Sequence, residues 1–143
     1  ASEDYRDKNP LLVAVLKGAV NTLVAFTQAM SIPVQIDFMS LSSYGSGTVS
    51  SGEVTVRQDL SADVRGRHIL IVEDIVDSGR TLAWLVAELK RRGAASVDVD
   101  VKYAGYEIPD EFVVGFGLDF DERYRNLDSI AVLKPSVYQG VQA

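Results

Sequence analysis

Two runs of consecutive apolar residues, Leu11–Val15 and Ile69–Val72, stand out from a chain that elsewhere mixes apolar and polar positions. An uninterrupted run of this length reads as a strand covered on both faces, as in a parallel sheet. Each run leads into a helical pattern. Val20, Leu23, Val24 and Phe26 recur between Ala19 and Met30, and Leu82, Leu85, Val86 and Leu89 recur after the second run. Trp84 is expected in the core or at a subunit contact. Lys90, Arg91 and Arg92 close the second helix ahead of Gly93, needing no partner beyond the helix dipole and water. Two strand–loop–helix units of this kind predict an α/β fold with a mostly parallel sheet.

The remaining segments are shorter. Val34, Ile36 and Phe38 alternate with Gln35, Asp37 and Met39, which predicts a strand with one wetter face. Alternation resumes over Glu53–Arg57, so the two segments form an antiparallel ribbon. The loop between them, Ser42–Gly52, is nearly all Ser, Gly and Thr around Tyr44. It is either a plain hairpin or a mobile lid. Val97–Tyr103 reads as an exposed strand, Phe112–Phe116 as a buried one, and Ser129–Leu133 as a last strand. A helical turn is expected over Asp121–Leu127, and a loosely held tail from Pro135. His68 falls just before the second apolar run, at the edge of the sheet away from the strand ends, and is assigned no role.

Composition narrows the class. With 143 residues and 47% hydrophobic content, one compact domain with a core is expected. The absence of cysteine removes disulfides and thiolate chemistry, and fits a reducing compartment. No apolar run approaches the ~20 residues that span a bilayer. The polar start, Ala1–Lys8, is unlike a signal peptide, so the expected setting is the cytoplasm, with no membrane partner. The net charge is −6 with no Lys/Arg block, which argues against nucleic acid as a partner.

The chemistry centres on Ile69–Leu82. There a buried strand meets Glu73 and Asp74, then a turn with Asp77, Ser78, Gly79 and Thr81, then a helix start. Such a junction turns free backbone N–H groups and a positive dipole end toward an anion. It is neither a Walker A loop nor a dinucleotide fingerprint. Phosphate at one end with hydroxyls or Mg²⁺ at the other would suit both the turn and the acids. A purely structural strand–turn–helix remains the alternative. Lys17 and Gly18, after the first strand, lie where parallel sheets bind ligands, though Lys17 could equally be a solvated loop residue.

Val72–Thr81 resembles the phosphoribosyl-pyrophosphate signature of type I phosphoribosyltransferases, with two acids, two apolar residues and Asp-Ser-Gly-Arg-Thr directly after a strand. Leu16-Lys17-Gly18 resembles that family's pyrophosphate loop, where a cis peptide is expected between Leu16 and Lys17. Ser43-Tyr44-Gly45 is similar to its catalytic lid. Phe112–Asp119 followed by Arg123-Tyr124-Arg125 is similar to the purine-stacking strand of the hypoxanthine-guanine branch. The resemblance covers about Leu11 to Tyr138.

It implies a single phosphoribosyltransferase domain over residues 1–143. The fold would be a central mostly parallel sheet flanked by helices, with a small hood and a flexible antiparallel lid loop. The implied reaction is Mg²⁺-dependent transfer of a 5-phosphoribosyl group from phosphoribosyl pyrophosphate to hypoxanthine or guanine, giving IMP or GMP. Glu73 and Asp74 would hold the ribose hydroxyls, directly or through Mg²⁺, and Asp119 would hold a second Mg²⁺. Asp77 would accept the N7 proton of the purine. Ser78, Gly79 and Thr81, with Arg80 in the same turn, would bind the 5′-phosphate. Lys17, Gly18 and Arg125 would bind pyrophosphate, with Ser43 and Tyr44 closing over it. Phe112 would stack on the base and Val113 would read its edge through the backbone. A homodimer or homotetramer is implied.

The chain departs from the family pattern in one place. The family runs a further strand into a loop with a base-reading lysine before a stretch like Val99–Tyr106, whereas here Ala95-Ser96-Val97 passes almost directly into that stretch. Lys102 is not that lysine. The family's N-terminal piece of the hood is also missing. Losing a core strand would cost more than the ~5–15 kcal/mol that holds a typical domain together. Residues skipped by the numbering are therefore preferred over a true deletion, and unbroken peptide bonds over residues 95–101 would count against that preference. Two other functions compete: a regulatory protein that keeps the fold but binds RNA, which needs a clustered basic face, and a transferase for xanthine or another base.

Overall fold

The two apolar runs form the middle of a five-stranded sheet, as β1 (Leu11–Val15) and β4 (His68–Val72). The computed structural model describes residues 1–43, 54–76, 78–98 and 104–139. β2 (Gln35–Ser43), β3 (Val54–Gln58) and β5 (Ser96–Asp98) complete the order β3-β2-β1-β4-β5. Neighbouring strands run parallel except β2 and β3, which form the expected antiparallel pair. α1 (Val20–Ala29) leads from β1 to β2, and α2 (Arg80–Arg91) from β4 to β5.

Successive strand side chains point to opposite faces. Leu11 and Val13 of β1 therefore enter one core with Ile69 and with Leu85, Val86 and Leu89 of α2. Leu12 and Ala14 enter another, with Leu70, Val72, Tyr5 and Leu23 of α1. Four of the five β1 side chains, Leu11 to Ala14, are fully buried. Trp84 packs against the first core. The chain leaves β1 toward β2 on one side and leaves β4 toward β5 on the other. Strand order thus reverses between β1 and β4, and the loops after Val15 and Val72 flank the resulting crevice. Open α/β sheets bind ligands at such a point.

Several expectations are corrected. The wetter face of β2 is reversed: Met39 and Asp37 are buried, while Ile36 is exposed. Asp37 tolerates burial because its carboxylate accepts N–H bonds from Phe38, Ser61 and Ala62, each 2.8 Å long. His68 belongs to β4 itself, and its Nδ1 lies 2.8 Å from Ser96 Oγ. Arg91 and Arg92 do have partners: both pair with Glu88, and Arg92 also reaches Asp59 at 2.8 Å. β5 is not an exposed strand, since Val97 is buried against β4. The rest of that expected strand, and the junction with the family's missing segment, fall in residues 99–103, outside the described residues.

The C-terminal part differs most from expectation. The apolar run Phe112–Phe116 yields only β6 (Val113–Val114), which pairs with β7 (Ala131–Val132) in a separate small sheet. Positive φ angles at Gly115, Phe116 and Gly117 turn the chain out of the strand. Residues 121–127 form no helix, because Asp121, Glu122 and Tyr124 also lie at positive φ. The tail is not loose at its start: Pro135–Tyr138 form α3. Among the described residues, no helix is long and apolar enough to cross a membrane.

Candidate active site

α2 follows Gly79, which lies in the left-handed region at φ 72 and has no side chain of its own with which to cap the helix. The first-turn N–H groups of such a start lack intrahelical partners and face outward with the positive dipole end. They border a cavity of about 270 Å³ lined by Val15, Glu73, Ser78, Gly79, Arg80 and Thr81. The expected phosphate ligands and one of the two acids therefore share one space. Burial pushes the Glu73 carboxyl up to about 7, with the neighbouring Asp74 charge adding to the effect. Asp74 turns Oδ1 back to accept the Ile75 N–H at 2.9 Å.

The loop after β1 meets this acidic pair closely. The Leu16–Lys17 peptide is cis, as expected. A Cβ on Gly18 would fall 1.9 Å from Asp74 Oδ2, so any larger residue there would have to push that carboxylate aside. On the other side, a Cβ on Gly117 would fall 2.0 Å from the Gly18 carbonyl oxygen. Gly117 has φ 102, which other residues rarely adopt. Two glycines in contact thus bring the β1 loop, the β4 loop and the 115–125 segment to one point.

Beyond Gly18 lies a charged cluster. Lys17 Nζ is 2.6 Å from Glu122 Oε2, and Arg125 reaches Glu122 Oε1 at 3.0 Å and Asp119 Oδ1 at 3.1 Å. Arg125 also donates to the Gly117 carbonyl at 2.8 Å, while Asn21 Nδ2 donates to the Arg125 carbonyl at 3.4 Å. Among the described residues, the buried Nε of Arg125 has no hydrogen-bond partner. Lys17 and Arg125 hold the Glu122 carboxyl below the usual range. The predicted pyrophosphate ligands Lys17, Gly18 and Arg125 are thus gathered together, with Asp119 beside them. Glu122 and Asn21 were not foreseen; each joins residues more than a hundred positions apart, which local pattern does not register.

Phe112 and Val113 lie at the far end. Phe112 meets Phe120 edge-on at 5.7 Å and stacks with Tyr138 at 5.4 Å between ring centres, so one ring face is already covered by α3. Val113 lines a cavity of about 670 Å³ with Ile108, Ile130 and Val132. A cleft of about 720 Å³ shares Ile108, Phe116 and Ile130 with it and reaches Glu73, Asp74 and Ile75. Of the other expected site residues, Ser43 ends β2, whereas Tyr44 and Asp77 lie outside the described residues.

The donors suit magnesium. Glu73, Asp74 and Asp119 offer only oxygen, and among the described residues no group of three His, Cys, Asp or Glu side chains could hold a metal ion. Mg²⁺ typically takes one or two carboxylates plus substrate oxygens and water, rather than a protein cage.

Comparison with known proteins decides the family. The phosphoribosyl transferase domain model matches residues 1–107. The hypoxanthine-guanine phosphoribosyltransferase of Bacillus subtilis (strain 168) is 45% identical over 152 residues, taking in 96% of this chain and 84% of that protein. The chain belongs to the hypoxanthine-guanine phosphoribosyltransferase family. A hypoxanthine phosphoribosyltransferase structure from Staphylococcus aureus has a TM-score of 0.90 at 39% identity, covering 96% of this chain and 82% of that one. The fold is therefore that of the phosphoribosyltransferases. A bifunctional TilS/HprT protein of Listeria monocytogenes serotype 4b (strain F2365) is 47% identical over 149 residues, and there the chain spans only 23% of the relative's length. The 152-residue match exceeds the 143 residues here, so the B. subtilis phosphoribosyltransferase carries residues with no counterpart in this chain.

Proposed function

We propose that this chain transfers the 5-phosphoribosyl group of phosphoribosyl pyrophosphate to N9 of hypoxanthine or guanine, releasing pyrophosphate and forming IMP or GMP. The observation that carries the reading is the cavity shared by the α2 start and Glu73, with Gly18 wedged between Asp74 and Gly117 at the strand-order reversal.

In this reading Ser78, Gly79, Arg80 and Thr81 fix the 5′-phosphate at the N-terminal, positive end of α2. Glu73 and Asp74 hold the ribose hydroxyls, and their charge favours the positive charge that develops on the sugar as the C1′–O bond breaks. Lys17, Gly18 and Arg125 draw off the departing pyrophosphate. Phe112 stacks on the purine and the Val113 backbone reads its edge. Asp77 accepts the N7 proton as N9 bonds to C1′. Ser43 and Tyr44 close over the site and keep water from the activated sugar. Mg²⁺, held by Asp119 and by Glu73 and Asp74 with the ribose hydroxyls, would offset the negative charge of the leaving group.

The proposal includes a cytoplasmic setting, no nucleic-acid or membrane partner, and a homodimer or homotetramer, which sedimentation of the purified protein would test. The decisive assay is pyrophosphate release with phosphoribosyl pyrophosphate, Mg²⁺ and each of hypoxanthine, guanine, xanthine and adenine. Turnover with the first two is expected. Absence of turnover with every base would overturn the reading.

A further inference from the structure

Glu122 stands where an anion is wanted. Its two carboxylate oxygens divide between the two cations assigned to pyrophosphate, Oε2 to Lys17 at 2.6 Å and Oε1 to Arg125 at 3.0 Å. This is the charge pattern a phosphate group would present to the same pair. We infer that Glu122 is a built-in counter-anion of the pyrophosphate site, occupying Lys17 and Arg125 in the free protein and giving them up to phosphate oxygens when the donor binds. The inference rests on the assignment of Lys17 and Arg125 to pyrophosphate made above.

Three further observations support it. The Lys17 and Glu122 side chains are 65% and 63% exposed, so water weakens their pairing and both can move without disturbing the core. Arg125 is different: only 26% exposed, anchored on the Gly117 carbonyl, with a buried Nε that has no partner. A buried donor left without an acceptor is a site at which an incoming oxygen gains more than it would in water. Finally, Glu122 is tethered, because its N–H donates to Asp119 Oδ2 at 2.9 Å. The carboxylate can leave the cations while its backbone stays in place beside them, ready to return.

The consequence is competition. A permanent acid at the rim weakens binding of both the donor and the released pyrophosphate. It also keeps Lys17 from wandering and displaces product once the bond is broken. Glu122 is thus a determinant of affinity and release, not of the chemical step.

Calorimetric titration with magnesium pyrophosphate tests this on the wild-type chain, Glu122→Gln and Lys17→Gln. Loss of the acid should tighten pyrophosphate binding about three- to tenfold, the scale of one exposed and one half-buried ion-pair contact. Its dissociation, followed by stopped flow, should slow in proportion. Unchanged or weaker binding by Glu122→Gln, while Lys17→Gln binds poorly, would overturn the counter-anion role and leave the site assignment standing. Wild-type binding by Lys17→Gln would instead remove Lys17 from the pyrophosphate site, and the inference with it.

Discussion

Glu73 and Arg125, both assigned to the proposed site, stand on very different supports. Glu73 follows directly from β4, whose Ile69, Leu70 and Val72 are buried between two helices. Arg125 hangs from a run of positive-φ turns closed by strands of two residues, one of which, β7, is exposed. The first support resists displacement because moving it would disturb both cores. The second can shift at small cost, since little apolar surface holds it. This difference suggests a division in which the sheet side fixes the reacting sugar while the 112–138 side adjusts to leaving group and base. Changes on the sheet side should therefore strike turnover or folding, and changes on the other side should strike affinity.

The sharpest test of that division is Asp77→Asn, in the turn between β4 and α2. It should lower kcat by about 10²–10⁴-fold, the usual contribution of a general base, with the Michaelis constant for phosphoribosyl pyrophosphate nearly unchanged. Steady-state kinetics check this, and a purely larger Michaelis constant would contradict the role. Next in size is Asp37→Leu. It leaves three part-buried N–H donors without their carboxylate and should cost about 2 kcal/mol, read as a lower urea midpoint. An unchanged midpoint would show that the sheet side is less constrained than argued.

Gly117→Ala probes the joint between the two sides. The added Cβ would meet the Gly18 carbonyl at 2.0 Å at a backbone angle alanine avoids, so the two loops must part. The Michaelis constant for phosphoribosyl pyrophosphate should rise about tenfold, equivalent to ~1.4 kcal/mol, with kcat changed less. A fall in kcat alone would break the comparison.

The smallest effect is on pH. Burial raises the Glu73 carboxyl from 4.5 to about 7, so between those values the folded protein binds more protons here than the unfolded chain does. This contribution to stability is full below about pH 4.5 and is lost as pH rises through 7. In the proposed role Glu73 holds the ribose in its ionised form, so donor affinity should fall as pH drops below 7, by less than tenfold per unit. Glu73→Gln should flatten both curves, measured by denaturation and by titration. Curves that keep their slope would assign the effect elsewhere.

The same contrast separates what was legible in the sequence from what was not. β1, α1, β4 and α2 followed from uninterrupted apolar runs and helical spacing. β2 was placed correctly but facing the wrong way, because alternation treats Asp37 as wet and does not see the three N–H groups that satisfy it. Phe112–Phe116 looked like a strand by composition, but backbone turns at Gly115 and Gly117 decided otherwise. Lys17 and Arg125 were named through family resemblance. Glu122, which links them, was invisible because its partner across the site lies 105 residues away in the chain. Tyr138 on Phe112 was missed for the same reason of distance.

The reversal of strand order between β1 and β4 also has a bearing on how the protein is made. Leu11 pairs with Ile69 only after β2 and β3 have been synthesised, so the crevice has no local precursor. Until that pairing forms, Lys17 and Glu73 belong to separate loops and nothing holds a sugar phosphate between them. A ligand bound across the joint therefore reports completed assembly of the sheet, and fragments ending before β4 lack half of it. Donor binding then stabilises only the finished fold, which makes occupancy a measure of folding as well as of function.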